Sequence, residues 1–140
     1  MAESDVVSIA EGIIAGTVAL DIPPSQTTVH TGFCSMSGDV TVFAVAPHMH
    51  QLGIHEKIVA ESSLAGEVVL YDGPYDFNEQ RYYTVDPVKL LRGDRMRVEC
   101  THRNTTSKSV SFGDSSLAEM CFAGFYRYPA DGSPFACVDR

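Results

Sequence analysis

Apolar and polar residues alternate along most of this chain in short runs, broken by glycine, proline and aspartate. That period of two is the signature of half-buried β-strands. Residues 95–100 carry it most clearly: Met96, Val98 and Cys100 alternate with Arg95, Arg97 and Glu99. Further β-type runs fall at residues 16–22, 27–33, 40–46, 57–62, 67–71, 82–85 and 121–128. The stretch Leu64-Ala65-Gly66 separates two of these runs as a hairpin turn would, and Arg92-Gly93-Asp94 turns into residues 95–100. Only residues 5–14 fit a helix, and the fit is poor. Many short strands with turns every eight to twelve residues predict an all-β chain, an antiparallel β-sandwich or jelly-roll-like domain.

The chain has 140 residues, which predicts one domain over 1–140 with room for its own core. Its net charge is −8, from 10 Lys and Arg against 18 Asp and Glu. So acidic a chain has no electrostatic footprint for nucleic acid or for an anionic membrane, and no apolar run is long enough to span a bilayer. No basic, apolar leader precedes the first strand, so no signal peptide is expected in this sequence. Four cysteines stand at Cys34, Cys100, Cys121 and Cys137, with no C-x-x-C pair. Neither a zinc ribbon nor a thioredoxin-type motif is indicated. An even count in a small domain suggests two disulfides in an oxidising compartment, with three connectivities open. Asn104-Thr105-Thr106 fits the N-glycosylation sequon.

The densest chemistry lies in Ala46-Pro47-His48-Met49-His50-Gln51-Leu52-Gly53. His48 and His50, two apart at a strand end, point to one face and stand close enough to share a metal ion. Met120, in Leu117-Ala118-Glu119-Met120-Cys121, opens the last strong strand. If its sulfur faces the two imidazoles, the donor set is two nitrogens and a thioether. That set suits copper better than zinc, which prefers thiolate, imidazole and carboxylate. His30, His55 and His102 are scattered singly; His30 and His102 read as surface or core residues, and His55 as a weaker candidate neighbour of the metal. Asp72, Asp76, Asp86 and Asp131 read as turn carboxylates, and Tyr71, Tyr75, Phe77, Tyr82 and Tyr83 as packing residues.

These motifs recur together. His48-Met49-His50 with Leu52-Gly53, Arg92-Gly93-Asp94 before Cys100-Thr101-His102-Arg103-Asn104, Gly113, and Glu119-Met120-Cys121 resemble, in the same order, the C-terminal catalytic domain of the copper type II, ascorbate-dependent monooxygenases. The resemblance runs from about Leu20 to Cys137, with Gly32-Phe33-Cys34 and Glu119-Met120-Cys121 its more specific segments. It implies a jelly-roll sandwich with bridges Cys34–Cys137 and Cys100–Cys121, and one copper per chain on His48, His50 and Met120. It implies C–H hydroxylation with O2 and ascorbate, on a small-molecule or peptide substrate, in a secreted, vesicle-lumen or periplasmic setting. Family enzymes pair this domain with an N-terminal domain carrying a second, electron-supplying copper, for which residues 1–140 leave no room. Two alternatives follow: a copper-binding sandwich without turnover of its own, as a carrier or half-enzyme, and an interaction module in which His48, His50 and Met120 are incidental.

Overall fold

The computed structural model describes residues 3–139. It contains eleven strands: β1 (Glu11–Thr17), β2 (Asp21–Ile22), β3 (Thr27–Ser35), β4 (Val40–Met49), β5 (Gly53–Ser62), β6 (Gly66–Pro74), β7 (Tyr83–Leu90), β8 (Arg95–Arg103), β9 (Val110–Ser111), β10 (Cys121–Tyr128) and β11 (Ala136–Asp139). Two sheets face each other, a five-stranded one ordered β11-β1-β10-β4-β7 and a four-stranded one ordered β3-β8-β5-β6. A short β2–β9 ribbon lies beside them. Every pairing is antiparallel except β1 with β11, which is parallel.

The alternation seen in the sequence becomes the core. Met96, Val98 and Cys100 of β8 are fully buried, as are Val42 and Val45 of β4, Ile58 and Ala60 of β5, and Ala123 and Phe125 of β10. Apolar faces of both sheets meet there, and burial of these side chains is the main stabilising term. The β5–β6 hairpin turns at Gly66, whose φ of 75° lies in the left-handed region that glycine enters without a Cβ penalty.

Two expectations fail at the N-terminus. Residues 5–14 are not helical: Glu3–Asp5 is a single 3-10 turn and β1 starts at Glu11. The run expected at residues 16–22 is split, because β1 ends at Thr17 and only Asp21–Ile22 pairs again. The cause is the partner: Ile13 and Ala15 are buried where β1 lies between β10 and β11, so tertiary pairing sets the register that local pattern leaves ambiguous.

Two disulfides, Cys34–Cys137 and Cys100–Cys121, tie the fold, with no free cysteine among the described residues. The first joins β3 to β11 across the two sheets, and the second joins β8 to β10 at the base of the His48 strand pair. Such bridges place folding of the chain in an oxidising compartment. Asn104 is 1% exposed, and its amide donates to the carbonyls of Ile22 and Lys108. In the folded protein the sequon asparagine is therefore a buried loop-fastener, closed to glycosylation.

Candidate metal centre

His48 lies one residue from the end of β4 and His50 one residue beyond it. Both strands of the local pair are needed to understand their placement. β10 runs antiparallel to β4 with Cys121 opposite Met49 and Phe122 opposite His48. Continued by one pair, this register sets Met120 opposite His50. Directly opposed residues, and residues two apart, share a face of the sheet. His48, His50, Met120 and Phe122 thus belong to the outer face of the five-stranded sheet, while Met49 and Cys121 point into the core and are fully buried. Met36, Met49 and Met96 belong to the buried core; Met120 is only partly buried and does not.

The two imidazole rings stand edge to face, 5.5 Å between centroids and 88° between planes. Their hydrogen bonds select the tautomer. His48 Nδ1 lies 2.7 Å from the Gln80 side-chain oxygen, and the Gln80 amide nitrogen is committed to the Phe77 carbonyl at 3.1 Å. The group facing His48 is therefore an acceptor, so Nδ1 carries the proton. His50 Nδ1 faces the Ala118 carbonyl at 3.0 Å, again an acceptor only. Both rings are left with an Nε2 lone pair, the arrangement a metal ligand needs, with the opposite nitrogen fixed by an oxygen. At the ordinary metal–imidazole distance of about 2 Å, two rings sharing one ion lie no more than about 6 Å apart between centroids. The observed spacing fits. The residues present fit a soft, imidazole-binding ion such as copper, with a thioether on the same face.

A buried carboxylate holds the backbone around His50 and Met120 in shape. Glu119, fully buried, accepts the His50 amide at 2.9 Å and the Met120 amide at 3.3 Å on one oxygen, and the Leu52 amide at 2.8 Å on the other. His102, also fully buried, places its Nε2 3.1 Å from the same carboxylate and 3.1 Å from the Met120 carbonyl. Burial works to raise the Glu119 pKa. The contact with His102 and the amides of Leu52 and His50 outweigh it and hold the carboxyl below its usual range. The Tyr75 hydroxyl donates to the Met49 carbonyl at 2.5 Å, and burial pushes that phenol up to about 12. A Cβ at Gly53 would come within 2.7 Å of the Met49 side chain, so the loop can close over Met49 only with glycine there.

The other singled-out residues lie elsewhere. His55 pairs with Asp72 at 2.8 Å on the β5–β6 surface, and His30 accepts the Asp21 amide at 3.4 Å. Asp72 is thus an ion-pair partner within β6 and not a turn residue; Asp76 caps the 3-10 turn at Phe77–Glu79, and Asp131 pairs with Arg127. His102 is a core residue, as its isolation suggests, yet it touches the backbone of Met120. Glu119 is legible as the neighbour of Met120, whereas no sequence motif points to Gln80, which reaches His48 only because the loop after β6 folds back. Among the described residues no cluster of three His, Cys, Asp or Glu side chains forms a metal cage. In comparison with known families, the sequence of residues 7–138 matches the copper type II ascorbate-dependent monooxygenase, C-terminal domain.

Proposed function

The chain belongs to the copper type II ascorbate-dependent monooxygenases, as their C-terminal domain, and from this we propose that His48, His50 and Met120 hold one copper ion at which a C–H bond is hydroxylated. The observation that carries the reading is the pair of Nε2 lone pairs, each freed by an oxygen on Nδ1, on the sheet face to which the register also brings Met120. Copper, when bound, supplies the one-electron chemistry by which R–H, O2, two electrons and two protons become R–OH and water, the electrons coming singly from two ascorbates. The chain's own part is positional. Gln80 and Ala118 fix the ring planes; Glu119 and His102 fix the backbone between the two ligand segments; the Cys100–Cys121 bridge anchors the strand that follows Met120. Substrate, a small molecule or a peptide, approaches from the open outer face. A separate copper-bearing domain supplies the electrons, and the disulfides suit secretion, a vesicle lumen or a periplasm.

Anaerobic Cu(I) titration with the disulfides intact tests the reading. One ion per chain is expected. His48→Ala removes binding, and Met120→Ala weakens Cu(I) by about tenfold or more while affecting Cu(II) less, since the thioether favours the softer ion. Hydroxylated product is expected with ascorbate, O2 and an added electron-donating domain. Absence of stoichiometric copper overturns the proposal; stoichiometric copper without product under those conditions reduces the chain to a copper carrier.

A further inference from the structure

The same outer sheet face carries a groove that begins at His48. On β10, Phe122 and Tyr126 flank Gly124, so two aromatic rings stand on either side of a missing side chain. Small neighbours deepen the gap: Ala46 of β4 lies opposite Gly124 and Gly12 of β1 opposite Tyr126, while Ile14 of β1 walls the other side of Gly124. Four residues of strand separate the Cα atoms of the two aromatic residues by about 13 Å, a span that a fused aromatic ring fits within. The resulting groove has a volume of about 340 Å³, within the range of small-molecule sites, with His48 in its wall and Tyr82 and Phe135 at its rim.

Gly124 is not there for the backbone. Its φ is not left-handed, and an added Cβ would make only ordinary contact, 3.4 Å from the Ala46 Cβ. What its missing side chain provides is space above the sheet. The groove's charge is equally informative. The chain as a whole is acidic at −8, yet among the described residues no carboxylate lines this groove, and its one permanently charged lining residue is Arg81. Arg81 has a single, long contact of 3.3 Å to Glu79, with both side chains well exposed, so its positive charge stays available at the rim. A cationic amine entering here would meet Arg81 in the wall, with Glu79, the nearest carboxylate to Arg81, outside the lining; an uncharged body would meet apolar walls, and a carboxylate would meet Arg81.

We propose that this groove binds the uncharged, apolar body of a small molecule, an aromatic or branched aliphatic group seated over Gly124 between Phe122 and Tyr126, and that Arg81 turns away cationic amines. That the bound molecule is the substrate oxidised beside His48 rests on the copper reading; that the groove binds it does not. The acidic surface of the chain would by itself favour cations, so the groove selects against the sign that the whole molecule attracts.

The test uses the copper-free chain with disulfides intact and three probes that share one ring system: naphthylmethanol, naphthylmethylamine and naphthoate. Calorimetry or ligand-observed NMR should show saturable binding of the alcohol and the acid, with the amine weaker by about tenfold. Gly124→Leu should weaken all probes by about tenfold or more by filling the slot, while its unfolding transition and its Cu(I) stoichiometry match the parent chain. Arg81→Gln should bring the amine level with the alcohol and weaken the acid. Equal binding of amine and alcohol by the parent chain, or unchanged binding in folded Gly124→Leu, overturns the proposal. So does the absence of saturable binding of any probe, which is the result expected if a protein surface covers this face. Copper uptake measured on the same samples separates failure of the groove from failure of the metal centre.

Discussion

Glu119 connects more of the candidate centre than any ligand does. Its two buried oxygens take the amides of His50, Leu52 and Met120 and face His102. Removing one partner from such a buried set leaves the others unpaired. Glu119→Ala should therefore destabilise the fold by about 3 kcal/mol or more, whereas Glu119→Gln, which keeps shape and one acceptor, should cost less; urea denaturation of both checks the order. Glu56 is the opposite case. It is fully buried in β5 with no well-formed hydrogen bond to either oxygen among the described residues, the His48 backbone making only a looser polar contact. Burial raises its pKa well above normal, only partly opposed by the backbone at His48; Tyr71 and Tyr75 are the titratable groups close by. A raised carboxyl pKa favours the folded state at low pH and costs stability as pH rises from the ordinary value toward the folded one. Glu56→Gln should thus raise the melting temperature at pH 7 by on the order of a few degrees, with the gain shrinking toward about pH 4.

At the scale of elements, the two disulfides should separate stability from metal binding. Cys34–Cys137 closes 103 residues and Cys100–Cys121 closes 21. Chain-entropy arguments give about 4–5 kcal/mol for the longer loop and about 3 kcal/mol for the shorter. Replacing the first pair by serine should lower stability more, yet replacing the second should weaken copper more, because β8 and β10 then lose their tie beside Met120; denaturation and Cu(I) titration on the same two variants would show the crossed order. The strands themselves differed in legibility. β8 was readable because one face is buried against the opposite sheet and the other carries Arg95, Arg97 and Glu99, so alternation survives. β10 was readable over its full extent for the same reason. β1 was not, since Glu11-Gly12-Ile13-Ile14-Ala15-Gly16-Thr17 has two glycines and its groove-facing positions are apolar or small, which erases the contrast between faces. β9 and β11 are short edge segments whose pairing depends on partners far away in the chain. The proximity of His48 and His50 was legible as a strand-end motif, and Met120 as a neighbour of a bridging cysteine. The groove over Gly124 was not, because it needs three strands aligned at once.

For the whole molecule, acid should unfold the protein through carboxylates held in their charged form. Hydrogen bonds from the Leu91 and Ser63 amides depress Asp94, contact with Arg97 depresses Glu67, and Ser133 and Ser37 hold Asp131 well below its usual range. A depressed pKa contributes stability that is present above the ordinary carboxylate value and lost as pH falls through the folded one. With Glu56 acting in the other direction, melting temperature plotted against pH should peak in the weakly acidic range and fall below about pH 4; a curve still rising at pH 7 would contradict the Glu56 assignment, and one with no fall in acid would contradict the depressed carboxylates. The order of the five-stranded sheet carries one more consequence. Among the described residues the first strand, β1, pairs in its sheet only with β10 and β11, which lie at the far end of the fold's strand sequence. The β1 segment must therefore wait without its sheet partners until residues 121–139 have been synthesised, and during that interval it is a stretch a chaperone has reason to shield.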